Sequence, residues 1–182
     1  MDEVRRFSDT TRKALEKEGY IIYELNGRTI RSFNEAGRPF YSTWYKDYPV
    51  LANLPSRKGE VAINPEKLVI PKSNNKTLKE HEKMVREFGL KLARKIPGVK
   101  AIIGQAPDYV EIVFLHFDKT GKRLFGEKYD YGFARTKTLV GSGNAVVGNF
   151  SVELGLEVFR CRDPEDRRAG IFSCSPDSAK IE

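Results

Sequence analysis

The stretch Tyr109-Val110-Glu111-Ile112-Val113-Phe114-Leu115-His116-Phe117 decides how the chain is read. Val110, Ile112 and Phe114 share one parity and Val113, Leu115 and Phe117 the other, the pattern of a strand buried on both faces. Read so, the segment is the central strand of a sheet. Asp118-Lys119-Thr120-Gly121 is then a hairpin turn leaving it, with glycine where positive φ is needed. Downstream, residues 123–125, 129–138, 145–150, 156–161 and 170–174 are β-rich runs separated by Gly or Asp/Pro breaks, and residues 99–103 supply a strand just upstream.

Working towards the N-terminus, residues 77–96 form the best helix. Thr77-Leu78-Lys79-Glu80 is a capping box, and Pro97-Gly98 stops the helix. Leu78, Val85, Phe88, Leu92 and Ile96 fall on one stripe of it, while Lys79, Lys83, Arg86 and Arg94 gather on another side. A shorter helix covers about 8–18, with Ser8 as its cap and Gly19 as its stop. Tyr20 to Leu25, Asn26-Gly27 and Arg28 to Phe33 read as a β-hairpin, because Asn-Gly between β-rich runs suits a two-residue turn. A third strand is expected over 40–45, with short strands over 60–63 and 68–70. The expected architecture is a single α+β domain over residues 1–182. It has one mainly antiparallel sheet of about 6–9 strands, one long helix (about 77–96) and one short N-terminal helix (about 8–18).

Bulk composition narrows the function classes. In 182 residues, eight Tyr, eleven Phe and one Trp are too many rings for a disordered chain. No apolar run reaches the ~18 residues of a membrane span, so no membrane role is expected. The polar start, Met1 to Ser8, has no apolar core of a secretory signal, which makes the cytoplasm the expected compartment. Cys161 and Cys174 do not form a CxxC pair, and two cysteines make no disulfide framework. If the 156–161 and 170–174 strands pair, both thiols face one side as reduced, buried groups. Gly141-Ser142-Gly143-Asn144-Ala145-Val146-Val147-Gly148 lacks the helix and the spacing of a phosphate-cradling loop. Neither a cofactor nor a metal is therefore expected.

Charge is more informative. The net +7 is concentrated: residues 76–100 hold 8 basic and 3 acidic groups, and residues 119–140 hold 6 and 2, while 101–118 hold none and 3. Such local excess attracts an anionic partner over about one Debye length, ~8 Å. Tyr129, Tyr131, Phe133, Arg135 and Lys137 share a strand parity, so rings lead into cations. Single-stranded nucleic acid wants that combination, with bases stacked on rings and phosphates on cations. The leading expectation is a small basic protein binding RNA or single-stranded nucleic acid through Lys79, Lys83, Arg86, Arg123, Tyr129, Tyr131, Arg135 and Lys137. Two rivals stand beside it. One is an enzyme or small-ligand binder with a cleft walled by His116, Asp118, Tyr109 and His81, in which His116 and Asp118 pair at i, i+2 along a strand. The other is an assembly module that buries Trp44, Tyr45 and Tyr48 against a protein partner or a second copy.

Overall fold

The computed structural model describes residues 6–73, 76–125, 132–161 and 173–176. Their element order is α1 (Asp9–Lys17), β1 (Ile21–Asn26), α2 (Ile30–Glu35), α3 (Pro49–Asn53), β2 (Lys58–Ile63), α4 (Leu78–Lys95), β3 (Val99–Ile102), α5 (Ala106–Thr120), β4 (Phe133–Val140), β5 (Gly143–Ser151), β6 (Gly155–Cys161) and β7 (Ser173–Pro176). The fold is α+β, and its strands are divided between two antiparallel sheets. The first has the order β1-β2-β7-β3, and the second is a β4-β5-β6 meander.

The residues expected to form the central strand are instead α5, a helix buried on nearly every side. Apolar residues on both parities also satisfy a helix that has no solvent-facing stripe. Local chemistry favours the helix. Pro107 sits in its first turn, where no N–H is needed. The Asp108 carboxylate accepts from the Gln105 N–H at 2.8 Å, and the hydroxyl of Thr138 accepts from Ala106 N–H at 2.8 Å. Gly121, expected in a hairpin, ends the helix in the left-handed region with φ 68°.

Two large hydrophobic clusters show the layering. Tyr23 and Leu25 of β1 and Val61 and Ile63 of β2 pack with Val110, Val113 and Phe114 of α5, which meets Ala145, Val147 and Val158 of the second sheet on its far side. On the other face of the first sheet, Ala62, Val99 and Ala101 pack with Leu15 of α1 and Val85, Leu92 and Ile96 of α4. The layers thus run from α1 and α4, through the first sheet and α5, to the second sheet. The stripe Leu78, Val85, Phe88, Leu92 and Ile96 does face this core. The capping box at α4 forms as read, with Thr77 Oγ1 accepting from Glu80 N–H at 3.2 Å and Glu80 accepting from Thr77 N–H at 2.7 Å.

Other expectations are corrected. One sheet with one long helix gives way to two sheets with two long helices, α4 and α5. The chain turns at Gly27, but residues 30–35 are helix, because Thr29 and Ser32 cap it reciprocally. β1 pairs instead with β2, Tyr23 opposite Val61. Residues 40–45 contribute only an isolated bridge, Phe40 to Leu156. Trp44–Asp47 is a short 3-10 turn. Residues 68–70 and 123–125 contain no strand. β6 pairs with β5, while β7 lies between β2 and β3, so Cys161 and Cys174 belong to different sheets.

Candidate nucleic-acid interface

α4 and β3 form a tight unit: the helix ends at Ile96, and Pro97-Gly98 reverse the chain so that Val99 and Ala101 lie under the helix. Among the described residues β3 is the edge of its sheet. Along that edge runs a groove of about 580 Å³, with Val85, Ala93, Val99, Ala101 and Ile103 as its apolar floor. Among the described residues its charged wall consists of Arg57, Arg86, Lys100 and Lys137 against one carboxylate, Glu82. The volume lies within the few-hundred to 1,000 Å³ range of ligand clefts.

Two of the four cations are held by carboxylates. Arg57 donates through Nε and Nη2 to Asp108 Oδ2, at 3.0 and 2.8 Å, and its backbone N–H reaches Oδ1 at 2.8 Å. Asp108 is 2% exposed, so this is a buried carboxylate fixing a half-buried guanidinium at the groove wall. One turn later, Glu111 accepts from Asn26 N–H at 3.0 Å and from the Ser56 hydroxyl. Two buried carboxylates of α5 therefore clamp the segment that leads into β2. Lys137 pairs with Glu82 at 3.2 Å across the groove, both side chains close to half exposed. Arg86 and Lys100 have no ion-pair partner among the described residues.

The sequence-predicted residues separate into groups. Lys79, Lys83 and Arg86 lie on α4, and Arg86 reaches the groove, as does Lys137. Lys83 and Lys79 lie one and two turns before Arg86 on the same helix. Arg135 does not join them. It is 2% exposed, and its Nη1 donates to the Lys76 carbonyl at 2.8 Å, with Cys161 Sγ 3.8 Å from Nη2. Arg123 bonds the Phe150 carbonyl at 3.3 Å and does not line the groove. Phe133 is buried edge-on against Phe159, at 5.0 Å between ring centroids, and offers no stacking face. Tyr129 and Tyr131 lie outside the described residues.

The residues of the rival cleft are scattered. On a helix, positions i and i+2 point to different sides. His116 accordingly meets the Tyr23 hydroxyl at 2.6 Å, while Asp118 takes a two-pronged ion pair from Arg38 at 2.7 and 2.5 Å. Burial holds the His116 imidazole below its ordinary range, assisted by Lys122 and Lys119, and burial raises the Tyr23 hydroxyl. Tyr109 is buried, with its hydroxyl accepting from Gly104 N–H at 3.0 Å. His81 Nε2 donates to the Ser73 carbonyl at 2.7 Å, its Nδ1 is unpartnered, and burial pushes its pKa down. Neither histidine lines the α4–β3 groove. Among the described residues there is no cluster of three His, Cys, Asp or Glu side chains arranged to hold a metal.

The aromatic assembly surface is largely consumed by packing. Tyr45 is 1% exposed with its ring 5.3 Å from Phe40, and Trp44 and Tyr48 stack on each other at 4.8 Å while packing on the core. Tyr41 is the exposed ring of that segment.

Sequence reading missed Arg57, Lys100 and Glu82. Lys100 had a signal, since it alternates with the inward Val99 and Ala101. Arg57 had none, because its partner Asp108 is 51 residues away. No family model, curated protein or solved structure matches this chain. Among the described residues no helix is long and apolar enough to cross a membrane.

Proposed function

We propose that the protein binds single-stranded nucleic acid, RNA or DNA, along the groove between α4 and β3. The supporting observation is the wall of Arg57, Arg86, Lys100 and Lys137 facing one carboxylate over an apolar floor, continued along α4 by Lys79 and Lys83. Phosphates meet the cations, and Arg86 and Lys100 carry most of the attraction because no carboxylate among the described residues neutralises them. Among the described residues no aromatic ring lines the groove, and the cations favour recognition through the backbone that tolerates many sequences. A concave groove admits one strand; duplex readout uses convex elements that enter the grooves of the helix.

The test is fluorescence anisotropy with labelled 12-mer RNA and DNA single strands and a matched duplex across a salt series. Four contacts, from Lys79, Lys83, Arg86 and Lys100, give a slope of log K against log salt of about −3 for single strands. Replacing Arg86 and Lys100 by Ala should lower that slope in magnitude by about 1.4. Absence of binding at ~50 mM salt, or tighter binding of the duplex, overturns the proposal.

A further inference from the structure

The opposite flank of α4 carries a second groove of different chemistry. It holds about 460 Å³ between α4, the end of α1 and the segment after β2. Tyr20 and Leu92 form its buried base, and Val69, Ile70 and Phe88 form half-buried apolar walls open to it. Apolar walls left open on a folded surface mark a contact site more often than scattered exposed leucines do. The rim is charged. Lys95 is tied to Glu18 at 2.6 Å, which removes both from consideration as free charges. Among the described residues of the rim, Lys91 from the helix wall and Lys67 from the opposite wall remain, with Glu66 beside them.

An apolar trough of small-molecule size with two lysines on facing walls matches one class of occupant. We infer that this groove binds a small amphiphile with an apolar body and one anionic headgroup, a carboxylate or sulfonate. The body lies on Phe88, Val69 and Ile70, and the headgroup sits between Lys67 and Lys91. A nucleic acid strand is a poor occupant here, since the walls are apolar and Lys67 and Lys91 make no extended cationic track for a run of phosphates. The inference therefore stands independently of the reading given to the α4–β3 groove.

The probe is 1-anilinonaphthalene-8-sulfonate, compared with N-phenyl-1-naphthylamine, which has the same ring body and no charge. On the intact protein the sulfonate should bind one site per chain, and the neutral amine should bind about fivefold more weakly, the worth of an exposed ion pair. The K67E/K91E variant, changed only on the surface, should weaken the sulfonate by at least that factor and leave the amine unchanged. V69D should abolish binding of both, with near-ultraviolet circular dichroism confirming that the fold is kept. If V69D does not fold, the charge-reversal pair decides alone. Equal affinity for the two probes, sulfonate binding unaffected by K67E/K91E, or retention by folded V69D overturns the inference. So does absence of any binding, including the case in which sedimentation shows a second copy covering the groove.

Discussion

Replacing Asp108 by Ala should be among the most damaging single changes in the α5 region. The carboxylate takes four hydrogen bonds, from the backbone N–H, Nε and Nη2 of Arg57 and from Gln105 N–H, all between 2.8 and 3.0 Å. It is 2% exposed, whereas the Arg57 side chain keeps 32% of its surface. Removing one partner of a buried pair costs about 3–5 kcal/mol, and the partial exposure of Arg57 places this case near 3 kcal/mol. For a chain of 182 residues that is a loss of roughly 10 °C in Tm. Urea and thermal unfolding of D108A, R57A and the double variant measure it. The two single changes should be less than additive, with a coupling of about 2 kcal/mol, because the double variant leaves no unpaired charge behind. D108A should also steepen the salt slope of single-strand binding by up to about 0.7, since it leaves the Arg57 guanidinium at the groove wall without its neutralising carboxylate. A D108A cost below ~1 kcal/mol, or strict additivity with R57A, would refute the argument that this carboxylate pins the start of β2 to α5.

Two further outcomes are expected. The imidazoles of His81 and His116 are held below the ordinary histidine range by burial, so the unfolded chain binds protons there before the native chain does. Stability is then fully present above about pH 6.5 and falls as pH drops below it, by up to ~1.4 kcal/mol per pH unit for each histidine. Urea midpoints between pH 5 and 7.5 should show that slope, and H81Q should remove about half of it; a flat profile would contradict the burial argument. Replacing Glu82 by Gln removes the groove's carboxylate and releases Lys137 from its 3.2 Å pair. E82Q should tighten single-strand binding up to about fivefold and steepen the salt slope by about 0.7, read by the same anisotropy titration.

Elements bounded by local chemistry were legible from the residues. Ser8 and Gly19 frame α1, Thr77 and Glu80 cap α4, and the runs over 60–63, 99–103, 145–150 and 156–161 overlap β2, β3, β5 and β6. The failures occurred where tertiary burial erased the period. α5 is apolar all round, so alternation and helical spacing could not be told apart, and Pro107 with Asp108 was the discriminating signal. At 26–33 the Asn-Gly turn outweighed the Thr29–Ser32 cap, although Thr29 and Ser32 set up a helix start one residue before Ile30. The basic stripe of α4 was read directly from spacing. Of its companion wall, Lys137 was named from its strand parity, whereas Arg57 was not, because it arrives at the groove through a loop far away in sequence. Arg135 carried the right charge on the right strand, yet its side chain is committed to the Lys76 carbonyl.

The position of β7 has a consequence for how the chain is made. Its Cys174 stands opposite Ala62 on one side and Ala101 on the other, joining β2 to β3 across 112 and 73 residues of chain. During synthesis β2 and β3 both emerge long before the strand that links them. Until then each presents an unpaired backbone edge beside apolar side chains, a template for pairing with the wrong neighbour. Contacts so distant in sequence also close slowly. The first sheet is thus a structure that a ribosome-bound chain waits to complete, and the interval before β7 appears is when a chaperone has the most to shield.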